Sequence, residues 1–217
     1  MNLRIFDNTE DLARAAARTI VRSGAKTIVV TGGSTPKRLY EILGESLPEE
    51  ITWILLDERY VPPGAPQSNA SMIERTLFAN AIPERWLRFK TELNDPAETA
   101  RAFEDDWRAL GIDDIDLVLL GCGDDGHTAS LFPGTPVLDV FDRIASEVYV
   151  PRLQQWRETL TLPVIRAAKL RMVLATGESK AGVIREVRDG ADHPVARATS
   201  GVETWWFVDR AAAGAAG

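Results

Sequence analysis

DLVLLGCGDDGHTASLFPGTP, Asp116 to Pro136, is the stretch on which the fold reading turns. Asp116-Leu117-Val118-Leu119-Leu120 is a short apolar run, long enough for a fully buried strand and too short for a helix. Three glycines follow within six residues (Gly121, Gly123 and Gly126), interleaved with Asp124 and Asp125. Next comes His127, one of two histidines in the chain. Glycines at that density allow positive φ and close approach of backbone to a ligand. In open α/β sheets ligands bind at the carboxyl ends of the strands, and histidine is the side chain that titrates nearest neutral pH. Two readings fit these residues: a catalytic corner, or a tight turn with a structural His–Asp pair.

The neighbouring sequence repeats the strand-then-loop pattern. Leu3–Phe6 alternates like a first strand, and Asn8 or Thr9 caps a helix running through about Arg22. Thr27–Val30 is a β-branched strand ending at Thr31-Gly32-Gly33-Ser34-Thr35-Pro36, with Pro36 expected at the first position of the next helix. Ile51–Leu56 is a strand ending in Asp57-Glu58-Arg59; Ser68-Asn69 caps a helix through about Ala79. A short strand over Leu87–Phe89 and a helix over Pro96–Leu110 precede the central stretch. After it come strands at Glu147–Val150 and Thr159–Leu162, a short helix at Pro163–Ala168 and a strand at Met172–Ala175. Gly177-Glu178-Ser179-Lys180 leads into a helix to about Arg188, and Thr204–Val208 is the last strand. Strands alternating with helices imply an α/β, doubly wound domain: a mostly parallel central sheet flanked by helices. No linker divides the chain, so residues 1–217 read as one domain with residues 211–217 as a fraying tail.

Gly32, Gly33, Ser34 and Thr35 join a buried strand to a helix start, where successive N–H groups and the helix dipole favour an anion. An ordinary capped turn is the alternative. Arg157 and Lys180 are candidate cations for the same anion, and Asp57 and Arg59 sit at the tip of the third strand. Parallel topology would bring these tips to one edge. The 25 Lys and Arg against 32 Asp and Glu leave a net charge of −7, against a nucleic-acid partner. A single cysteine, Cys122, rules out an internal disulfide and fits a reducing compartment, with packing its expected role rather than nucleophilic chemistry. No apolar run of membrane-spanning length occurs, and a cytoplasmic protein is expected. His193, beside Asp192 and Pro194, is expected to be exposed and without a role.

Six segments in this order resemble 6-phosphogluconolactonases of the bacterial type, relatives of glucosamine-6-phosphate deaminase. They are TGGSTP (Thr31–Pro36), LDERYVPP with Ser68-Asn69, LGCGDDGHTASLFPG (Leu120–Gly134), RETLTLP (Arg157–Pro163), TGESK (Thr176–Lys180) and WFVDRAA (Trp206–Ala212). The resemblance implies hydrolysis of 6-phospho-D-glucono-1,5-lactone, a small phosphosugar lactone, without a cofactor or required metal. It assigns phosphate binding to Gly33, Ser34, Thr35, Arg157 and Lys180, and the general base to His127; by the logic of hydrolase triads, Asp125 or Asp57 is expected to orient the imidazole. A monomer or small homo-oligomer is expected. An amino-sugar phosphate deaminase on the same scaffold is a rival, but its loop carries an acid soon after the histidine, where this chain has Thr128-Ala129-Ser130-Leu131-Phe132-Pro133. A non-catalytic phosphosugar-binding module is the second rival; no DNA-binding segment precedes Leu3 to support it.

Overall fold

The computed structural model describes residues 1–45 and 50–214. In chain order the strands are β1 (Asn2–Phe6), β2 (Thr27–Val30), β3 (Thr52–Leu55), β4 (Asp57–Arg59), β5 (Trp86–Leu87), β6 (Leu117–Gly121), β7 (Ala145–Val150), β8 (Gln155–Leu160), β9 (Leu170–Ala175) and β10 (Thr204–Asp209). The helices are α1 (Thr9–Ser23), α2 (Ser34–Gly44), α3 (Asn69–Thr76), α4 (Pro96–Ala109), α5 (Leu162–Ala167), α6 (Ala181–Arg188) and α7 (Pro194–Thr199). No helix among the described residues is long and apolar enough to cross a membrane.

Seven strands form one sheet in the order β1-β10-β9-β6-β2-β3-β5, and every adjacent pair is parallel. The buried β-branched and leucine runs of β2, β3 and β6 are what a sheet covered on both faces demands. From β2 the chain proceeds outward to β3 and β5, then returns to the other side of β2 for β6, β9 and β10. Right-handed crossovers running in opposite directions place their helices on opposite faces. Accordingly α1 packs on α2 and α2 on α3, whereas α5 packs on α7. The order reverses between β2 and β6, and the carboxyl ends of those strands open at the switch point.

A second sheet was not foreseen. It is antiparallel, in the order β4-β8-β7, and uses Asp57–Arg59 as a strand rather than a loop. Four residues separate β7 from β8, enough for a hairpin and far too few for a parallel crossover. Leu56 joins the two sheets: its N–H donates to Val30 O of β2 at 2.8 Å, and its carbonyl accepts from the N–H of Leu160, the last residue of β8, at 2.9 Å.

Other differences are local. Pro36 occupies the third helical position, since α2 starts at Ser34 with Gly33 as its cap at φ 116°. The α7 helix was missed because it is only six residues long. Ala212 of the supposed tail is fully buried, and its N–H donates to Asp209 Oδ1 at 2.8 Å; residues 215–217 lie outside the described residues.

Glu58 anchors α3. Its buried carboxylate accepts from Asn69 N, Ala70 N, Arg59 N and Ser68 Oγ at 2.7–3.0 Å, an anion at a helix N-terminus. That anchoring presses Asn69 against Gly32: an added Cβ there would lie 1.8 Å from Asn69 Oδ1. Asn69 cannot retreat freely, because it is buried and its Nδ2 donates to Asp57 O at 2.9 Å. We expect Gly32→Ala to lower urea-unfolding stability by about 1–3 kcal/mol, and Asn69→Ala in the same chain to recover part of the loss. A fully stable Gly32→Ala protein would contradict this crowding.

Glu158, opposite Glu58 on one side and Glu147 on the other, is fully buried, and neither of its carboxylate oxygens finds a hydrogen-bond partner among the described residues. Burial, then the Glu147 charge, pushes its carboxyl up to about 9 against the pull of Arg143. The native state therefore holds a proton that the unfolded chain releases near its ordinary value of 4.5. Stability from this group is full below that value and is lost at about 1.4 kcal/mol per pH unit as pH rises toward 9. Glu158→Gln should thus raise Tm progressively relative to the parent between pH 5 and about 9; Tm curves that stay parallel over that range would contradict the buried proton.

Candidate active site

A cleft of about 370 Å³ opens at the β2/β6 switch point. The loop after β2 supplies Gly32, Gly33, Ser34 and Thr35 to its wall, and the loop after β6 supplies His127. The small sheet contributes Asp57, Arg59 and Arg157; Arg152 comes from the β7–β8 turn, and Lys180 from the turn after β9. Of the residues singled out in the sequence, Asp125 alone does not line the cleft itself, and it stands directly behind the imidazole.

His127 Nδ1 lies 2.5 Å from Asp125 Oδ1, which also accepts the His127 backbone N–H at 3.1 Å. A carboxylate beside Nδ1 favours a proton on that nitrogen. The ring stacks on Phe132 (centroids 4.3 Å apart, planes at 27°). Gly123 is obligatory beneath it, since a Cβ there would approach Nδ1 to 2.0 Å. The second oxygen of Asp125 accepts from Arg152 Nη2 at 2.6 Å. Burial opposes ionisation of Asp125, but the His127 hydrogen bond and charge, with Arg152, more than offset it and hold the carboxyl below its usual value.

Asp57 does not make the contact that sequence reasoning offered as an alternative. Its Oδ2 accepts from Ser130 Oγ at 2.8 Å and its backbone carbonyl accepts from Asn69. The strand direction of β4 explains this, carrying the Asp57 side chain toward the loop after His127 rather than to the ring. Cys122 is buried, and burial pushes its thiol up to about 12, so it stays protonated and is no nucleophile.

One side of the cleft gathers cations. Arg59 and Arg157 face each other across the β4–β8 ladder. Each has a buried Nε without a hydrogen-bond partner, and neither forms a salt bridge among the described residues. Burial, then the Arg59 charge, pushes Arg157 below the usual guanidinium value. Arg59 does donate from Nη1 to Gln67 O at 2.5 Å. Lys180 sits in a single 3₁₀ turn ahead of α6, not in the helix's first turn, and is paired with Asp124, which also accepts from Ser179 Oγ at 3.1 Å. Thr35 Oγ1 shares a 2.8 Å hydrogen bond with Thr176 Oγ1, linking the two loops.

Two residues were misjudged or missed. His193 is half-buried rather than exposed: its ring packs over Gly126 and its Nε2 meets Glu186 at 2.7 Å. Arg152 was passed over within an irregular segment; the clue was its place at the tip of a four-residue hairpin connection, five residues before Arg157.

Comparison with known proteins agrees with this architecture. The family described as glucosamine-6-phosphate isomerases/6-phosphogluconolactonase matches residues 6–206. A 6-phosphogluconolactonase from Synechocystis is 36% identical, over 90% of this chain and 86% of its own. One from Haemophilus influenzae is 37% identical over 85% of each chain. The structure of 6-phosphogluconolactonase from Trypanosoma cruzi superposes with a TM-score of 0.87 at 28% identity, covering 98% of this chain and 96% of the other. With the family match spanning nearly the whole sequence, and curated relatives above 30% identity along most of their length, this chain belongs to the glucosamine-6-phosphate isomerase/6-phosphogluconolactonase family.

Proposed function

We propose that the 217 residues form one catalytic domain that hydrolyses 6-phospho-D-glucono-1,5-lactone to 6-phosphogluconate. The observation that carries this reading is that His127 and the Gly33–Thr35 turn line one cleft, 92 positions apart in sequence between Thr35 and His127 but adjacent across the β2/β6 switch point. The relatives' names supply the substrate class; the family also contains isomerases, which makes glucosamine-6-phosphate the control.

The Gly33–Thr35 turn offers backbone N–H groups and two hydroxyls at the start of α2, and Arg59, Arg157 and Lys180 supply cations to the phosphate. Holding the phosphate fixes the lactone carbonyl near His127. Neutral His127, its Nδ1–H held by Asp125, takes a proton through Nε2 from a water attacking C1. Asp125 stabilises the imidazolium that results, as an orienting acid does in hydrolase triads. The tetrahedral intermediate collapses by breaking the C1–ring oxygen bond, and the imidazolium returns its proton to the departing alkoxide. The ring opens to a carboxylic acid, which ionises and releases one proton. A positioned base of this kind contributes about 10²–10⁴-fold.

The direct test is proton release on adding freshly generated 6-phosphogluconolactone, with glucosamine-6-phosphate as control. Rapid acidification without ammonia release is expected; ammonia from the amino sugar, or phosphosugar binding with no lactone turnover, would overturn the assignment. His127→Asn should keep product binding and lose about 10²–10⁴ in kcat, and near-parental turnover would remove His127 from the role. Lys180→Ala should raise KM about tenfold or more, with kcat changed much less. An unchanged KM would remove it from the phosphate site.

A further inference from the structure

We infer that Arg152 is a positioning residue: it clamps the Asp125 carboxylate beneath the imidazole and sets the pH at which His127 is available as a base. The inference rests on the reading of His127 as the base.

The geometry gives Asp125 two partners in fixed directions. Oδ1 meets His127 Nδ1 at 2.5 Å and the His127 N–H at 3.1 Å, and Oδ2 meets Arg152 Nη2 at 2.6 Å. A planar carboxylate held at both oxygens cannot rotate away from the ring. The same guanidinium lies 5.0 Å from the centre of the Phe132 ring, which stacks on the imidazole. Arg152 therefore braces both groups that orient His127. It also arrives from a different part of the fold, the tip of the β7–β8 hairpin, so it fastens the small sheet to the loop after β6.

Folding does not explain this contact. The Arg152 side chain is 56% exposed, and an exposed ion pair of this kind contributes little to stability. Its effect falls instead on the charge around the ring. The groups facing His127 are Asp125 and Asp124 on its own loop, the latter held by Lys180. From the small sheet and its hairpin come Arg152, Arg157, Arg59 and Asp57, the last bonded to Ser130. His193, paired with Glu186, stands behind Gly126. Within this set Arg152 is the cation bonded to the orienting acid, and it partly neutralises the charge that would otherwise favour imidazolium.

The test compares Arg152→Gln, which removes the charge, with Arg152→Lys, which keeps it. For Arg152→Gln the acid limb of kcat/KM should move up by about 0.5–1 pH unit, with kcat about 5–10-fold lower and KM within about twofold. Arg152→Lys should hold the acid limb within about 0.2 unit of the parent. The NMR titration midpoint of the His127 ring, assigned with a His193→Asn variant, should move with the acid limb. An unmoved limb and midpoint in Arg152→Gln, or a change in KM alone, would overturn the inference. Failure of the underlying reading looks different: His127→Asn would stay active, while the NMR titration, which needs no turnover, would still report whether Arg152 acts on the ring.

Discussion

Leu56 is the residue on which the arrangement depends, because its two backbone groups serve two sheets. Its N–H completes the parallel ladder with β2, and its carbonyl receives the chain leaving β8. With no loop between them, β3 passes directly into β4, and the small sheet is forced to stand beside the carboxyl ends of β2 and β6. The next three residues are Asp57, Glu58 and Arg59, so the polar chemistry starts one peptide beyond the weld. The antiparallel register then sets Arg59 opposite Arg157. Like charges directly across a ladder destabilise a strand pair, and this pair is half-buried as well. The sheet carries that cost at the wall of the cleft.

The same sheet contains two buried glutamates that meet opposite fates. Glu58 collects four donors at the start of α3, and they offset part of the burial that raises its carboxyl above the ordinary value. Glu158, its register partner, finds none and is retained as a neutral acid. The difference is geometric. The chain after β4 turns back to present the amide ends of α3 to Glu58, whereas Glu158 lies in the middle strand, shut between Glu58 and Glu147. A buried carboxylate becomes an anchor only where backbone N–H groups converge on it; elsewhere it holds its proton.

This contrast also explains what could be read from the sequence. β2, β3 and β6 were legible because a strand covered on both faces must be apolar throughout, and their tips were legible because glycines and charges cannot continue such a run. The meeting of His127 with the Gly33–Thr35 turn followed from parallel topology alone. The small sheet was not legible: β4 is three polar residues whose ladder partners lie in β8, far along the chain. Pro36 misled because proline suits several positions of a first helical turn. Arg152 and His193 act through contacts across the sheet edge, onto Asp125 and Gly126, which local periodicity does not record.

Charge distribution reconciles an acidic protein with a phosphorylated substrate. The chain carries −7 overall, yet four cations, Arg59, Arg152, Arg157 and Lys180, line the cleft with one carboxylate, Asp57. The acids at the site are committed: Asp57 to Ser130, Asp125 to His127 and Arg152, and Asp124 to Lys180. Among the described residues Arg59 and Arg157 have no such acid, and burial of their Nε atoms keeps water from screening them fully. Four of the chain's 25 Lys and Arg residues thus gather in one concave spot, where low-dielectric walls strengthen their field.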